Sequence, residues 1–240
     1  MLADVNLIIY DIQDIGARFY TYITTLGLVM EAGAELGIPI LVLDRPNPIR
    51  SDIIEGPLLD LTYRSFVGHY PIPIRYGSTI GELAESIIEN KWVDPIPKLE
   101  VIRMEGWQPN VWFDQTDLIW IPPSPNIPDF NTALVYSGMC LLEGTNISEG
   151  RGTNHPFVYF GAPWVDAIEL TDILNGLKFN GVIFEPIHFT PKSNARSKWP
   201  KYENEECGGS KLIVTDNDNF LALSVKDYVS ELQAKSHQII

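Results

Sequence analysis

Two runs of apolar residues near the start of the chain enclose a stretch with helical spacing. The first run comprises Val5, Leu7, Ile8, Ile9 and Tyr10, and the second covers residues 38–43. A near-continuous apolar run is typical of a strand that is buried on both faces of a parallel sheet. The pattern therefore predicts a strand–helix–strand unit across residues 4–48, and both strands should end at the same edge of the sheet.

Polar side chains follow both predicted strands. Asp11 and Asp14 come after the first, and Asp44, Arg45 and Asn47 come after the second. Ligands of open α/β sheets bind at this edge. No G-x-G-x-x-G follows the first strand and no G-x-x-x-x-G-K-[ST] occurs, so the usual phosphate cradles of nucleotide cofactors are absent from the sequence. The edge is suited to a polar, hydroxyl-rich ligand.

The rest of the chain alternates between predicted elements and loops. Residues 79–82 (TIGE) form a capping box that opens a helix to about Asn90, where the first subdomain (1–90) is expected to end. The second subdomain (91–240) contains a series of further predicted elements: strands at 98–104, 157–160, 181–189 and 211–215, and helices at 132–142, 165–177 and from 220 to about 235.

Two segments of the second subdomain are candidates for binding a ligand. The loop at 105–129 carries Trp107, Trp112 and Trp120, which could stack on sugar rings, although covering the core is the commoner role of a tryptophan. Residues 143–154 (EGTNISEGRGTN) combine charged and amide side chains with three glycines, which allow a ligand to approach the backbone. A plain surface loop seldom needs such charge density between apolar elements.

Composition excludes several classes of function. With 17 basic and 31 acidic residues, the chain has a net charge of −14, which disfavours a nucleic-acid partner. No apolar run reaches the length of a membrane span, and the N-terminus does not resemble a signal peptide. The four histidines are scattered and no metal-ligand motif occurs. We expect Cys140 to be buried in a helix and Cys207 to lie in a polar loop.

The ordered motifs of the chain resemble those of the NamZ family of exo-β-N-acetylmuramidases. The motifs are DIQDIGARFYTY, VLDRPNP, EGP, PIPIRYGSTIGELA, PPSPNIP, EGTNISEGRGT, GAPW and CGG. The resemblance extends from Asp4 to about Asp218. It implies a Rossmann-like subdomain and a second α/β subdomain with a cleft between them. It also implies a secreted or periplasmic bacterial glycosidase that releases N-acetylmuramic acid from the non-reducing ends of peptidoglycan fragments without a cofactor.

The resemblance further implies that the family extends beyond this sequence at both ends. Family members carry an upstream Pro-Glu-His-Gly motif with a candidate catalytic Glu. On this basis we expect the chain to be an internal piece of the family fold.

Hydrolysis of a β-glycoside generally requires two carboxyl groups. The resemblance points to Glu31 as one of them, whereas helical spacing places Glu31 and Glu35 opposite the buried stripe of Leu26 and Met30. Asp11 and Asp14 are better placed at the sheet edge, as partners of sugar hydroxyls or orienters of a catalytic group, although Asp also caps helices. Glu31 and Asp14 are the candidate catalytic residues.

The remaining candidates bind substrate. Arg18, Arg45 and Arg151 could grip the lactyl carboxylate of muramic acid in bidentate fashion. Other predicted substrate-binding residues come from the matched motifs: Asp11, Tyr20, Asn47, Glu143, Asn146 and Glu149. A catalytically incomplete, carbohydrate-binding protein is the main alternative, and the missing glycine loop disfavours a nucleotide-dependent enzyme.

Overall fold

The opening strand–helix–strand unit forms as predicted. Strand β1 (Ile8–Tyr10), helix α1 (Tyr22–Leu36) and strand β2 (Ile40–Leu43) follow in order, and the two strands pair in parallel with Ile8 opposite Ile40. Helix α1 ends at Gly37, whose φ of 67° lets its N–H reach the carbonyls of Ala34 and Gly33. This computed structural model describes Leu2 and residues 4–225.

The chain divides into two compact units, Met1–Ile119 and Trp120–Ile240, which we call unit 1 and unit 2. Helix α2 (Ile80–Glu89) and strand β3 (Leu99–Ile102) complete the elements of unit 1. The division differs from the expected subdomain boundary after residue 90. Strand β3 pairs in parallel with β2, with Ile40 opposite Leu99, so this part of the chain joins the first sheet.

The sheet of unit 1 has the order β1-β2-β3 and buries one face. Tyr10, Ile40 and Val42 share a hydrophobic core with side chains of both helices, among them Leu26, Met30, Leu83 and Ile87. The expectation that β1 is buried on both faces is wrong. Leu7 and Ile9 are 46% and 56% exposed, because β1 is an edge strand and these positions alternate away from the helices.

Helix α2 begins with the capping box that the sequence predicts. The Thr79 hydroxyl accepts a hydrogen bond from the Glu82 N–H, and the Glu82 carboxylate accepts one from the Thr79 N–H.

Trp112 is buried, with the guanidiniums of Arg50 and Arg75 5.2 and 5.5 Å from its ring centroid. Trp112 is therefore a core residue and no stacking platform.

Unit 2 is built on an antiparallel sheet of order β4-β6-β5. Its described elements are α3 (Phe130–Met139), β4 (Tyr159–Ala162), α4 (Ala167–Gly176), β5 (Val182–Phe189) and β6 (Cys207–Val214). Strand β6 lies in the middle, with Val182 of β5 opposite Val214 and Tyr159 of β4 opposite Lys211. Most of the predicted helix at 220–235 lies outside the described residues.

Strand β6 begins four residues earlier than predicted, and Cys207 is its first residue. Cys207 is fully buried, so its expected place in a polar loop is wrong, whereas Cys140 is buried as expected. The prediction fails because two consecutive glycines, Gly208 and Gly209, are more typical of a loop than of a strand. Instead they permit close packing, since a Cβ at Gly209 would lie 2.1 Å from the Phe160 carbonyl oxygen.

Gly27 is a point of close approach inside α1. A Cβ at this position would lie 1.6 Å from the Tyr70 hydroxyl, and Tyr70 is itself buried and stacked on Trp92 at 5.3 Å. We expect Gly27→Ala to lower the free energy of unfolding by about 2 kcal/mol or more, because overpacking outweighs the better helix propensity of Ala. Urea titration measures the change.

Gly176 provides the matched control, because it is the last residue of α4 and a Cβ there meets nothing within 4 Å. Gly176→Ala should leave the stability unchanged or raise it slightly. Equal effects of the two substitutions would contradict the packing argument.

Candidate functional site

Asp14 lies at the carboxyl edge of the unit 1 sheet but is buried, with 4% of its surface exposed. One carboxylate oxygen, Oδ2, accepts hydrogen bonds from the Gly16 N–H at 2.7 Å and the Tyr76 hydroxyl at 2.5 Å. The other oxygen, Oδ1, has no hydrogen-bond partner among the described residues. Burial raises the pKa of Asp14 to about 6, against the lowering effect of its hydrogen bonds.

The other polar groups of this edge connect the ends of elements. Asp44 accepts hydrogen bonds from the Thr79 hydroxyl at 2.9 Å and the Gly81 N–H at 2.8 Å, and thereby joins the end of β2 to the start of α2. Burial raises the pKa of Asp44. Asn47 donates to the Ser78 carbonyl at 3.0 Å and accepts from the Ile49 N–H. Both residues therefore have structural partners.

Asp11 and Arg45 form the accessible part of the edge. Their ion pair is 2.6 Å long, and the side chains of Arg45 and Asp11 are 38% and 45% exposed. A ligand can reach both groups, but the guanidinium already has a carboxylate partner. An exposed pair of this kind adds little stability, so it is free to exchange partners with a ligand.

Glu31 lies elsewhere in unit 1, next to two aromatic residues that the sequence analysis did not single out. It is half-buried and close enough to His69 and Tyr70 to raise the pKa of each, although burial is the largest influence on both and lowers the pKa of His69. The expectation that Glu31 faces away from the protein body is therefore wrong. It is one turn beyond Gly27, on the side of α1 that meets Tyr70.

A cavity of about 230 Å³ lies beside this group. Its lining includes Arg64, His69, Tyr70 and Trp92, and the Arg64 guanidinium contacts the His69 ring nitrogen Nε2. Asp14 has a different set of neighbours, since its hydrogen bonds come from Gly16 and Tyr76. Glu31 is also nine residues into α1, about 13 Å along the helix from its start. The structure therefore does not bring the two predicted catalytic carboxyls together.

The other two predicted binding residues of unit 1 are held by the protein. The Arg18 guanidinium donates to the carbonyls of Pro57 at 2.8 Å and Ile72 at 2.5 Å, and burial lowers its pKa. Tyr20 is 9% exposed and packs edge-on against Tyr22, with ring centroids 4.9 Å apart. Their contacts position the segment between β1 and α1.

In unit 2 the predicted polar cluster does converge. Glu149 is 4% exposed, and its carboxylate pairs with Lys201 at 3.1 Å and with Arg151 at 3.6 Å. Arg151 also contacts Glu143 at 2.5 Å. Burial lowers the pKa of Arg151, but the carboxylates of Glu143 and Glu149 raise it by more, so the pKa lies above its usual value. These four side chains form an ion-pair network, which we call the Glu149 network.

Lys201 was not predicted and holds the Glu149 network to the backbone. Its ammonium donates to the carbonyls of Leu142 at 2.8 Å and Ile147 at 2.9 Å in addition to its pairing with Glu149. The neighbouring Asn146 contributes its carbonyl oxygen, which accepts from the Tyr202 hydroxyl at 2.5 Å. The side-chain oxygen of Asn146 is buried with no hydrogen-bond partner among the described residues.

The Glu149 network borders a cavity of about 370 Å³. The lining also includes the segment 196–200, which we call the wall, where Arg196, Lys198 and Trp199 are exposed. The lining thus contains four basic and two acidic side chains, in a protein whose net charge is −14. Its volume and its mixture of cations, carboxylates and an indole ring suit a small, polar, anionic ligand.

Comparison with known proteins identifies the family of this chain. The family model described as "Exo-beta-N-acetylmuramidase NamZ, N-terminal" matches residues 1–131, and the corresponding C-terminal model matches residues 134–238. The chain belongs to the NamZ family. The peptidoglycan β-N-acetylmuramidase NamZ of Bacillus subtilis is 47% identical over 223 residues, which cover 93% of this chain and 52% of that protein.

Solved structures agree with the NamZ assignment. A DUF1343 family protein from Bacteroides fragilis matches 99% of this chain with a TM-score of 0.92 and 38% identity, and a second one matches 92% with a TM-score of 0.72 and 36% identity. The chain covers 61% and 55% of these two proteins. It therefore spans between half and two thirds of the length of the relatives it matches.

The segment 196–200 is the part of this cavity lining that the sequence analysis did not predict. Four of the 17 basic residues of the chain fall within residues 192–201, next to a tryptophan. This concentration of basic residues beside an aromatic was the available signal. Within the described residues there is no group of three His, Cys, Asp or Glu placed to hold a metal, and no helix has the length and apolarity to cross a bilayer.

Asp14 predicts a specific dependence of stability on pH. Its folded-state pKa of about 6 lies above the usual 3.8, so the folded protein holds the proton more tightly than the unfolded chain does. The stability that this proton contributes is complete below about pH 4 and is lost as the pH rises through 6. Removing the titration by Asp14→Asn should change the pH profile by about 3 kcal/mol.

Urea titrations of both proteins between pH 4 and 7 measure this difference. The substitution preserves an oxygen that can accept from Gly16 and Tyr76, since both now donate to Oδ2. Stability of the wild type should fall relative to Asp14→Asn as the pH rises. A constant difference across the range would show that Asp14 titrates normally.

Proposed function

We propose that this protein is an exo-β-N-acetylmuramidase that releases N-acetylmuramic acid from the non-reducing ends of peptidoglycan fragments. The observation that carries the proposal is membership of the NamZ family across both units, with 47% identity to a peptidoglycan β-N-acetylmuramidase. The polar cavity of unit 2 and the accessible carboxylates of unit 1 are consistent with a hydrophilic sugar substrate. Cell-wall turnover in a secreted or periplasmic location is part of the same proposal.

The reaction breaks the bond between the anomeric carbon and the leaving oxygen. One carboxyl group protonates that oxygen, and a carboxylate attacks the anomeric carbon or activates a water molecule to do so. Glu31 is the better candidate for direct contact because it is only half-buried and lies close to His69 and Tyr70, two residues that line a cavity. Family resemblance assigns the second carboxyl to a Pro-Glu-His-Gly motif, which does not occur in these 240 residues.

Asp14 is better suited to an indirect role. Its raised pKa is of the kind that a general acid requires, but its carboxyl is buried and its hydrogen bonds hold Gly16 and Tyr76. We assign it to positioning the loop after β1 at the sheet edge. A ligand at this edge would meet Asp11 and Arg45 first, since these are the exposed members.

Release of the chromophore from a chromogenic β-N-acetylmuramide tests the proposal, measured on the 240-residue chain and on the same chain extended upstream through the Pro-Glu-His-Gly motif that the family resemblance implies. Turnover of this glycoside by the extended chain, with little on the matching N-acetylglucosaminide, is the expected result. Binding of muramic acid without turnover would favour the alternative of a carbohydrate-binding protein. Neither binding nor turnover would overturn both.

Glu31→Gln tests the catalytic assignment. The change keeps the shape of the side chain but removes its ability to exchange a proton or attack carbon. We expect the turnover number to fall by about 1,000-fold, within the range of a lost acid–base group, with sugar binding and the free energy of unfolding retained.

Glu35→Gln is the matched control, because Glu35 is on the same helix, four residues further, and exposed. It should behave as wild type. Retained turnover in Glu31→Gln, or equal losses in both variants, would remove Glu31 from the mechanism.

A further inference from the structure

The three arginines that the sequence suggests for binding a carboxylate all have protein acceptors. Arg18 donates to two backbone carbonyls, Arg45 pairs with Asp11, and Arg151 pairs with Glu143 and Glu149. A ligand carboxylate would have to compete with these partners. For Arg151 the competition is severe, because displacing it would leave the buried carboxylate of Glu149 with one cation fewer.

Arg196 and Lys198 are in a different situation. Both residues are exposed and line the 370 Å³ cavity together with the Glu149 network. Neither forms an ion pair with another residue of the described part of the chain. The two acidic side chains of the cavity are already paired with Arg151 and Lys201, so the charge of this wall is uncompensated.

Trp199 lies beside these cations and contributes little to folding. It is 83% exposed, and its φ of 52° is in the left-handed region, which is unfavourable for a residue with a side chain. A large indole held in solvent on a strained backbone is unusual for a residue with only a structural role. It is a surface on which a sugar ring can stack.

The backbone of this wall is fixed before any ligand arrives. The Asn194 side-chain oxygen accepts from the N–H groups of Arg196 at 2.8 Å and Ser197 at 2.9 Å. The Asn126 amide donates to the Arg196 carbonyl at 3.0 Å, and the Trp199 N–H donates to the Ser193 hydroxyl at 3.0 Å. These bonds order an irregular segment, so binding requires little further ordering of the backbone.

We propose that Arg196, Lys198 and Trp199 form a subsite that binds a sugar carrying a carboxylate, with the ring on the indole and the carboxylate on the two cations. The inference builds on the proposed function and adds the residues that distinguish muramic acid from N-acetylglucosamine. Arg151 and Lys201 then position the floor of the subsite through Glu149. The carboxylate can come from the lactyl group of the sugar or from a peptide attached to that group.

The double variant Arg196→Ala/Lys198→Ala tests the charge. Isothermal titration with N-acetylmuramic acid, its L-Ala-D-Glu conjugate and N-acetylglucosamine compares the two carboxylate sources with a neutral sugar. We expect the double variant to lose about tenfold or more in affinity for at least one acidic ligand and to bind N-acetylglucosamine as wild type does. A loss for the free sugar acid identifies the lactyl source, and a loss for the conjugate alone identifies the peptide.

Trp199→Ala tests the stacking surface. It should weaken all three ligands about equally, since the indole contacts the ring that they share, and it should not lower the free energy of unfolding. The control for the charge is Lys178→Ala/Lys211→Ala, which removes the same charge from residues of unit 2 that do not line the cavity. This control should bind all three ligands as wild type does.

Equal affinity of wild type and the Arg196→Ala/Lys198→Ala variant for both acidic ligands would overturn the subsite, even if the protein hydrolyses muramides. Conversely, selective loss of acidic ligands in a protein that hydrolyses nothing would support the subsite and refute the enzymatic proposal. Because binding and turnover are measured separately, the two failures are distinguishable.

Discussion

The arrangement of unit 2 depends on one buried charge. Glu149 has almost no contact with solvent, and a buried carboxylate is tolerated only when cations and donors replace its water. Removing one partner of such a pair typically costs about 3 to 5 kcal/mol. Lys201 supplies one of these cations, with its ammonium 3.1 Å from Glu149, and donates hydrogen bonds to two backbone carbonyls. Lys201 thereby joins its own loop to residues 142–149, and both segments contribute to the lining of the cavity.

The need to neutralise Glu149 distinguishes two kinds of cation in the cavity: those that pair with a buried carboxylate and those that remain able to bind a ligand. Arg151 and Lys201 compensate Glu149, whereas Arg196 and Lys198 compensate nothing in the described chain. The same distinction applies to unit 1. Asp14, Asp44 and Asn47 lie at the sheet edge where ligands are expected, yet their hydrogen bonds go to loops and to the start of α2. Position at a sheet edge therefore does not by itself identify a binding group.

The sequence predicted those elements whose positions depend on residues close together in the chain. Apolar runs located β1, α1 and β2, and the capping box located the start of α2, because each depends on residues close together in the chain. The assignment of β3 to the first sheet could not be read in this way, since a four-residue strand carries no information about its partner. The early start of β6 was missed because the glycines needed for close packing resemble a turn.

Residue type indicates which segments carry polar side chains, but not which of those side chains are available to a ligand. Within the predicted polar segment 143–154, Glu143, Glu149 and Arg151 meet in ion pairs. Whether a given arginine is free depends on acceptors supplied by distant segments, such as the Ile72 carbonyl that binds Arg18. Trp199 was overlooked for a similar reason, because burial separates it from Trp112 and the sequence does not report burial.

The packing of α1 connects the fold of unit 1 to its candidate catalytic group. Only a glycine at position 27 lets the Tyr70 ring lie directly against the helix, where it stacks on Trp92. Glu31 is one turn further along, so the close approach that buries Tyr70 also brings this carboxyl beside the Tyr70 hydroxyl and His69. That hydroxyl has no hydrogen-bond partner among the described residues. A buried hydroxyl without a hydrogen-bond partner destabilises the folded protein. Stability alone therefore does not explain why Tyr70 packs against α1 at Gly27. The arrangement is understandable if Glu31 and its neighbours act on a ligand.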